Sequence, residues 1–486
     1  MALAGKRIGL LHHAGGGNLG DDATLYAVMN NIKTRWPDAV ISGFTMNPSD
    51  TQTRHGIPCY PLRRQTWNFG HAYLKTRLTF KDRVRTAASK SRLLFRVLKA
   101  IYIAAIKLPR AFYHEARFLA ESFRVIRLFD VLIICGGGQL IESSGSAWAF
   151  LGGPWNFPYT IFKWIVLARL AGVRPIILNV GAGPLTRSLS KGFVRGALSL
   201  ADYASFRDEH SRALARRIGF SGTAHVFPDT AYSHTIAALD AARIAGAGGS
   251  IVGFAPMAYG DPRLSPEHDR DSYNCFIRTL GLFGSWLIEN HYSLTLFCSD
   301  IGIDPPSIED MEAVVRSHND AARINTNGSV RRVHQWSVGE LLENMASMDY
   351  VVACRYHAII FAHLLNIPVL AISPHPKVRA LMQELGLAKY CVDISSCNVN
   401  VLADTFRSVV SDRAEIKSRM AEKLACYKEQ LARQFNELFP PELARKGRNI
   451  SSVVGSFVLG LASLANCDFA GDFIASEFIA RIDEFC

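Results

Sequence analysis

The sequence is poor in the features that mark specialised protein classes. Its ten cysteines are scattered singly along 486 residues, with no Cys-x-x-Cys pair and no Cys/His spacing suited to zinc. That excludes a disulfide scaffold and argues against a metal site. Cys135 and Cys354 end apolar runs and read as small buried hydrophobes, as expected for a reducing cytoplasm. The N-terminus has no apolar core of signal-peptide length and passes at once into a strand-like run, so export is not expected. Long apolar runs are missing too. The longest uncharged stretch near the C-terminus, Asn449 to Cys467, carries four Ser, two Asn and two Gly, and reads as a buried helix rather than a membrane span. Repeats are absent, and the low-complexity content is confined to an Ala/Gly-rich tract over 237–249, which reads as a linker. Acidic residues are scarce in one place only. Residues 61–130 hold 16 Lys/Arg against 4 Asp/Glu, while the rest balances at 38 against 38, so the whole formal charge of +12 lies in this segment.

What remains is ordinary globular composition, 49% apolar and 20% charged, which excludes a disordered or fibrous chain. The length suits two or three domains. Short apolar runs alternate with helical periodicity. Strands are expected at Arg7–His13, Ala39–Phe44, Val131–Cys135, Arg174–Val180 and Ala204–Arg207, then at Ser250–Phe254, Tyr292–Cys298, Tyr350–Cys354 and Pro368–Ile372. Helices are expected at Ala23–Arg35, Trp155–Ala171, Tyr273–Asn290, Val338–Met345 and Ala358–Leu365. Alternation of this kind predicts parallel sheets covered by helices. The expected architecture is α/β, with two doubly wound Rossmann-like domains facing a cleft, over 1–236 and 250–395. A basic helical insert (61–128) interrupts the first, and C-terminal helices (396–486) follow the second.

The chemistry-bearing residues gather at the carboxyl ends of these strands, where open α/β sheets bind ligands. Gly15-x-Gly17-x-x-Gly20 has dinucleotide-fingerprint spacing, but the next strand ends without the acidic residue a nicotinamide or flavin site needs. The loop suits an anion or sugar instead, with Asn18 and Asp21 as polar contacts. Gly136-Gly137-Gly138 and Gly181-Ala-Gly183-Pro184 are two more strand-end turns that admit a ligand close to the backbone, or simply a tight turn. Arg207, Arg355, His357 and Lys377 also follow strands. Two arginines and a lysine can neutralise a phosphate and a carboxylate, and histidine can move a proton near neutral pH.

Together these residues resemble the polysaccharide pyruvyl transferase family. The resemblance is carried by Gly16-Gly-Asn18-Leu-Gly20-Asp21, Gly136-Gly-Gly138, Gly181-Ala-Gly183-Pro184 with Ser205-Phe-Arg207-Asp208, Pro228-Asp229, Cys354-Arg355-Tyr-His357-Ala358 and Pro376-Lys377. It departs at Tyr356, where the family usually has a smaller residue. The resemblance implies a fold of the two-domain glycosyltransferase type (GT-B) and transfer of the enolpyruvyl group of phosphoenolpyruvate to a sugar, forming a ketal and releasing phosphate. The donor is then a substrate, and no cofactor is implied. In that reading Arg207, Arg355 and Lys377 clamp the donor and His357 supplies a proton. Asp21 or Asp229 orients or deprotonates the acceptor, and Asn18, Gly20, Gly137, Gly138 and Gly183 line the cleft. A nucleotide-sugar glycosyltransferase of the same architecture, and a non-catalytic polyanion-binding protein, are the competing readings.

The insert carries Lys81, Arg85, Arg92, Arg96, Lys99, Lys107 and Arg110 within ~80° of one another on a helical wheel, opposite Leu94, Leu98 and Ile101. Pro109 breaks the pattern, and a second one with Arg117, Arg124 and Arg127 starts near Ala111. A basic amphipathic stripe over 81–127 suits an anionic membrane surface, or a solvated face. No recognised module accompanies it, so nucleic acid is not an expected partner. A cytoplasmic protein, peripheral at the inner membrane face and acting on a lipid-linked acceptor, is the resulting expectation.

Overall fold

A computed structural model of the chain describes residues 5–64, 105, 108–142, 157–234, 250–264, 269–322 and 329–440. The first domain is a seven-stranded parallel sheet: β1 (Arg7–Leu11), β2 (Val40–Thr45), β3 (Cys59–Pro61), β4 (Val131–Cys135), β5 (Arg174–Val180), β6 (Tyr203–Phe206) and β7 (His225–Val226). Its spatial order is β3-β2-β1-β4-β5-β6-β7. The second is a six-stranded parallel sheet of β8 (Ile251–Ala255), β9 (Ser293–Leu296), β10 (Val330–Arg332), β11 (Tyr350–Ala353), β12 (Val369–Ser373) and β13 (Cys391–Asp393), ordered β10-β9-β8-β11-β12-β13. The central strands are buried on both faces, so they read as unbroken apolar runs: all five residues of VLIIC in β4 are buried. In both sheets the order reverses between the first strand and the fourth, at β1/β4 and β8/β11. Crevices open beyond the carboxyl ends at those points.

Helices fill the crossovers. They are α1 (Leu19–Arg35), α2 (Pro48–His55), α3 (Leu108–Ile126), α4 (Phe157–Leu170), α5 (Ser188–Leu200), α6 (Glu209–Arg217), α7 (Arg270–Glu289), α8 (Pro305–Ala321), α9 (Val338–Ala346), α10 (Tyr356–Leu364), α11 (Pro376–Glu384), α12 (Val399–Ser411) and α13 (Arg413–Leu438). α1 begins four residues before its sequence expectation, because Asn18 caps it. The Asn18 side-chain oxygen accepts the Gly20 N–H at 3.0 Å, and Asp21 and Asp22 complement the positive end of the helix. Pro109 sits in the first turn of α3, where its missing N–H goes unnoticed, and this helix covers the second pattern expected from Ala111. The basic insert otherwise lies outside the described residues, as do the 237–249 tract and the 449–467 stretch.

The domains pack together along the cleft, where Leu19, Ala23, Ala231 and Tyr232 join the core of the second domain. The loop after β1 meets the loop after β9: the Leu19 N–H donates to Ser299 O and the Ile301 N–H to Gly17 O, both at 2.8 Å. From the C-terminal region, α13 crosses back to the first sheet. Gln434 is fully buried against Asn179, donating to its Oδ1 and accepting from its Nδ2 at 2.8 Å each. Phe435, Leu438 and Phe439 join the core under β1 and β4.

Candidate active site

Both crevices open into one cleft, and the loops that line it bring together residues far apart in the chain. The start of α1 lies directly against His357, on the first turn of α10. A Cβ on Gly20 would stand 2.0–2.5 Å from the imidazole, so only glycine lets the two domains close this far. Gly20 therefore acts here by close approach of the helix start to the imidazole. Gly181 plays the same part for Arg207, whose guanidinium would be 2.7–2.8 Å from a Cβ there. Gly183, at a φ of +95°, faces Leu214. Gly137 lies beside the Asp21 carboxylate and the His12 imidazole, at the β1/β4 reversal, whereas Gly138 faces Ile141. Asn18 spends its oxygen on the cap and pairs through its backbone with Asp300 across the cleft.

Arg207, at the end of β6, is buried. Its Nη1 stands 3.3 Å from Asp229 Oδ2, its Nε 3.5 Å from Asp208, and its plane 4.3 Å over the Tyr356 ring. Tyr356, the departure from the family pattern, thus supplies the face on which Arg207 stacks. Asp229 is fully engaged. Its Oδ1 accepts the Ala231 N–H at 3.0 Å, and its Oδ2 lies between Arg207 and the His357 Nε2, 3.9 Å away. It is placed to orient these two groups rather than to meet an acceptor hydroxyl. Arg355, the N-cap residue of α10, donates from Nε and Nη2 to Asp304 at 2.8 and 2.6 Å, and lies 3.5 Å from Asp300. Its fork is already filled by a carboxylate, so an arriving anion has to share it or displace Asp304. Asp300 and Asp304 were not among the expected site residues. Ser299-Asp300 ends a β9-type run, which was the available signal; Asp304 carried none.

Proton affinities in the cleft are strongly perturbed. Burial lowers His357 to about 4, with Asp229 opposing and Arg207, Lys377 and Arg355 reinforcing, so the free protein holds it neutral. Asp21 moves the other way, to about 7, through burial and the neighbouring Asp22 and Asp300 carboxylates. Lys377, on the first turn of α11, falls to about 8 through the walls around it and through Arg207 and Arg355. It retains solvent-exposed surface, which moderates that effect. His12 was also missed by the sequence reading, although it ends the β1 run at the strand reversal. Its Nδ1 accepts the Ala14 N–H at 3.1 Å, which puts the proton on Nε2, and that atom is buried without a partner.

Paired acid and base candidates, three cations and glycine turns thus occupy one cleft between two parallel sheets. The sequence pattern of the polysaccharide pyruvyl transferase family matches residues 18–376, the span from the cap of α1 to the start of α11. The chain belongs to that family. It is a transferase, and every expected polar site residue of this pyruvyl transferase except Lys377 falls inside the matched span. Among solved structures it is similar to the UDP-GlcNAc 2-epimerase from Neisseria meningitidis bound to UDP-GlcNAc, at 10% identity and TM-score 0.53, covering 89% of this chain and 98% of that one. It is similar also to the S. aureus MnaA–UDP structure, at 11% identity and TM-score 0.52, covering 91% and 99%. At such identities the likeness concerns the fold alone, and it agrees with the expected two-domain GT-B architecture. No curated protein sequence matches the chain.

Proposed function

We propose that the cleft transfers the enolpyruvyl group of phosphoenolpyruvate to two hydroxyls of one sugar in a polysaccharide or its lipid-linked precursor. The observation that carries the reading is the convergence of Arg207 from the first domain and Arg355 and Lys377 from the second around His357, with Asp21 of the first domain facing them. The three cations suit a donor that bears a phosphate and a carboxylate within a few ångströms. In this reading the donor's negative charge offsets the cations that, after burial, hold His357 neutral, and the imidazole takes up a proton. His357 then protonates the methylene carbon, making C2 electrophilic. One sugar hydroxyl bonds to C2 as the C2–O bond to phosphate breaks, and the second hydroxyl closes the ketal. Of the two hydroxyl protons released, one balances the proton delivered to the methyl group and the other leaves with phosphate. Asp21, near 7, is tuned to accept the first of them. Asp229 holds Arg207 and His357 in register.

The decisive measurement is phosphate release from phosphoenolpyruvate against a panel of lipid-linked and nucleotide-linked sugars. We expect His357→Ala to lower turnover ~10²–10⁴-fold while phosphoenolpyruvate still binds. Undiminished turnover removes His357 from the mechanism. Thermal stabilisation by a nucleoside diphosphate but not by phosphoenolpyruvate would favour a glycosyltransferase instead.

A further inference from the structure

The second domain carries a cavity between α7 and α8 that the donor cluster does not use. Its volume is about 840 Å³, within the ~300–1,000 Å³ of small-molecule sites. Ile277 and Leu282 of α7 and Val314 of α8 give it an apolar lining, and Asn274 and Ser317 add hydrogen-bonding groups. The loop after β8 contributes Asp261 and Arg263 to its wall. That loop also supports the donor cluster. The Ala258 N–H donates to Asp304 Oδ1 at 3.1 Å, and Asp304 is the carboxylate that holds Arg355. Asp304 is the N-cap residue of α8, and Asp310, six residues on, lines the cavity. The cavity therefore begins about 9 Å along α8 from the cleft.

Its charges are unevenly matched. Both lining carboxylates hold one guanidinium. Arg263 donates from Nε and Nη2 to Asp261 at 2.9 and 2.7 Å, and from Nη2 to Asp310 at 2.7 Å. Arg270 and Arg278 line the cavity too, and both are exposed. Neither forms an ion pair among the described residues. Asp269, next to Arg270 in sequence, is turned into the cap of α7, accepting the Ser272 N–H at 3.0 Å. The two arginines stand on one side of α7, about two turns or 12 Å apart along its axis. That spacing suits two anionic groups on one chain better than a single compact anion, and guanidinium binds carboxylate bidentately. Amide, hydroxyl and apolar groups beside them match a saccharide, whose rings present C–H faces and hydroxyl edges.

Pyruvyl transfer makes such a chain, because each ketal keeps the donor's carboxylate and adds one negative charge to the acceptor. We infer that the cavity between α7 and α8 binds acceptor that is already pyruvylated. Arg270 and Arg278 take the carboxylates of successive ketals and hold the enzyme on the polymer between transfers. The identity of the ligand rests on the pyruvyl transfer reading; the cationic saccharide site does not.

Calorimetry on the full chain tests it, with a pyruvylated galactan as probe and the same galactan stripped of its ketals by mild acid as control. The wild type should bind the pyruvylated form about tenfold or more tightly than the stripped one. Arg270→Ser with Arg278→Ser, at exposed positions, should lose that preference, while phosphate release with a single-sugar acceptor stays at the wild-type level. Lysine at both positions should retain part of it. After partial reaction on a polymer, the wild type should leave ketals in runs and the serine variant should scatter them. Binding of neither galactan, binding of both alike, an undiminished preference in the serine variant, or equal scattering by both proteins overturns the proposal. So does self-association of the wild type that the serine variant abolishes, which would assign the cavity to a second copy. Absence of phosphate release from phosphoenolpyruvate counts against the transfer reading alone, because the binding comparison needs no turnover.

Discussion

Asp21 and Asp22 are neighbours on the first turn of α1, yet their surroundings give them different work. Asp22 is held by His55 at 3.3 Å and Arg54 at 3.8 Å, whereas Asp21 faces the cleft among other carboxylates. Raised from 3.8 to about 7, Asp21 favours the protonated native state. Its stabilising contribution is full below the unfolded value and is lost as pH climbs through the folded one. Asp21→Asn should therefore gain stability over the wild type as pH rises from about 4.5 to about 8, by roughly 1–2 kcal/mol after allowance for its partial exposure. Melting curves at the two pH values measure this, and a gap that does not widen refutes it. His357 has the opposite sign: lowered from 6.5 to about 4, it favours the deprotonated native state above that value. Phosphoenolpyruvate should raise it by a unit or more as its charges offset Arg207, Lys377 and Arg355. An NMR titration of the imidazole with and without donor would register the rise, and an unmoved titration would exclude His357 as the proton source.

Elements differ in how openly they announce themselves. Val131–Cys135 and Arg174–Val180 stand in the structure where the apolar runs placed them, because central parallel strands are buried on both faces. The edge strands Cys59–Pro61, His225–Val226, Val330–Arg332 and Cys391–Asp393 escaped, being only two or three residues long. α8 was not expected either; Pro305 and Pro306 form its first turn, where their missing N–H groups go unnoticed. The site followed the same logic. Residues at strand ends, such as Arg207 and His357, were legible from position, whereas Asp304 was not, because its pairing with Arg355 spans 51 residues. Nor does a glycine disclose what it abuts. Gly20 opens α1 and touches His357, so Gly20→Ala forces a methyl into the imidazole and pushes the helix start away from α10. Overpacking of this kind costs ~1–3 kcal/mol. The variant should melt lower, and its turnover should fall further than its stability loss explains. Wild-type turnover in Gly20→Ala would mean that closure at this contact is dispensable.

At the scale of the molecule, charge and connectivity divide the labour. α13 ties the second domain to the first through Gln434 and Phe435, which limits how far the cleft can open. The excess positive charge falls, in sequence, within residues 61–130. Within the described residues its outer face is α3, where Phe112 and Tyr113 are 55% and 65% exposed and Arg110, Arg117 and Arg124 share one side at intervals of seven. The inner face buries Glu115, Phe118 and Ile126 against the domain, Phe118 packing edge-on to Trp164. No helix among the described residues is long and apolar enough to cross a membrane. An exposed aromatic pair among arginines instead suits contact with an anionic lipid surface, where each cation contributes ~1 kcal/mol and each aromatic anchors at headgroup depth. A lipid-linked acceptor would bring its sugar to the cleft from such a surface. The full chain should float with phosphatidylglycerol vesicles at low salt and not with phosphatidylcholine, and high salt should release it. Phe112→Ser with Arg110→Glu and Arg124→Glu should weaken flotation tenfold or more while phosphate release with a soluble acceptor is retained. Equal flotation by the triple variant, or none by the wild type, would leave the arginines of α3 a solvated face and detach the charge from the site of action.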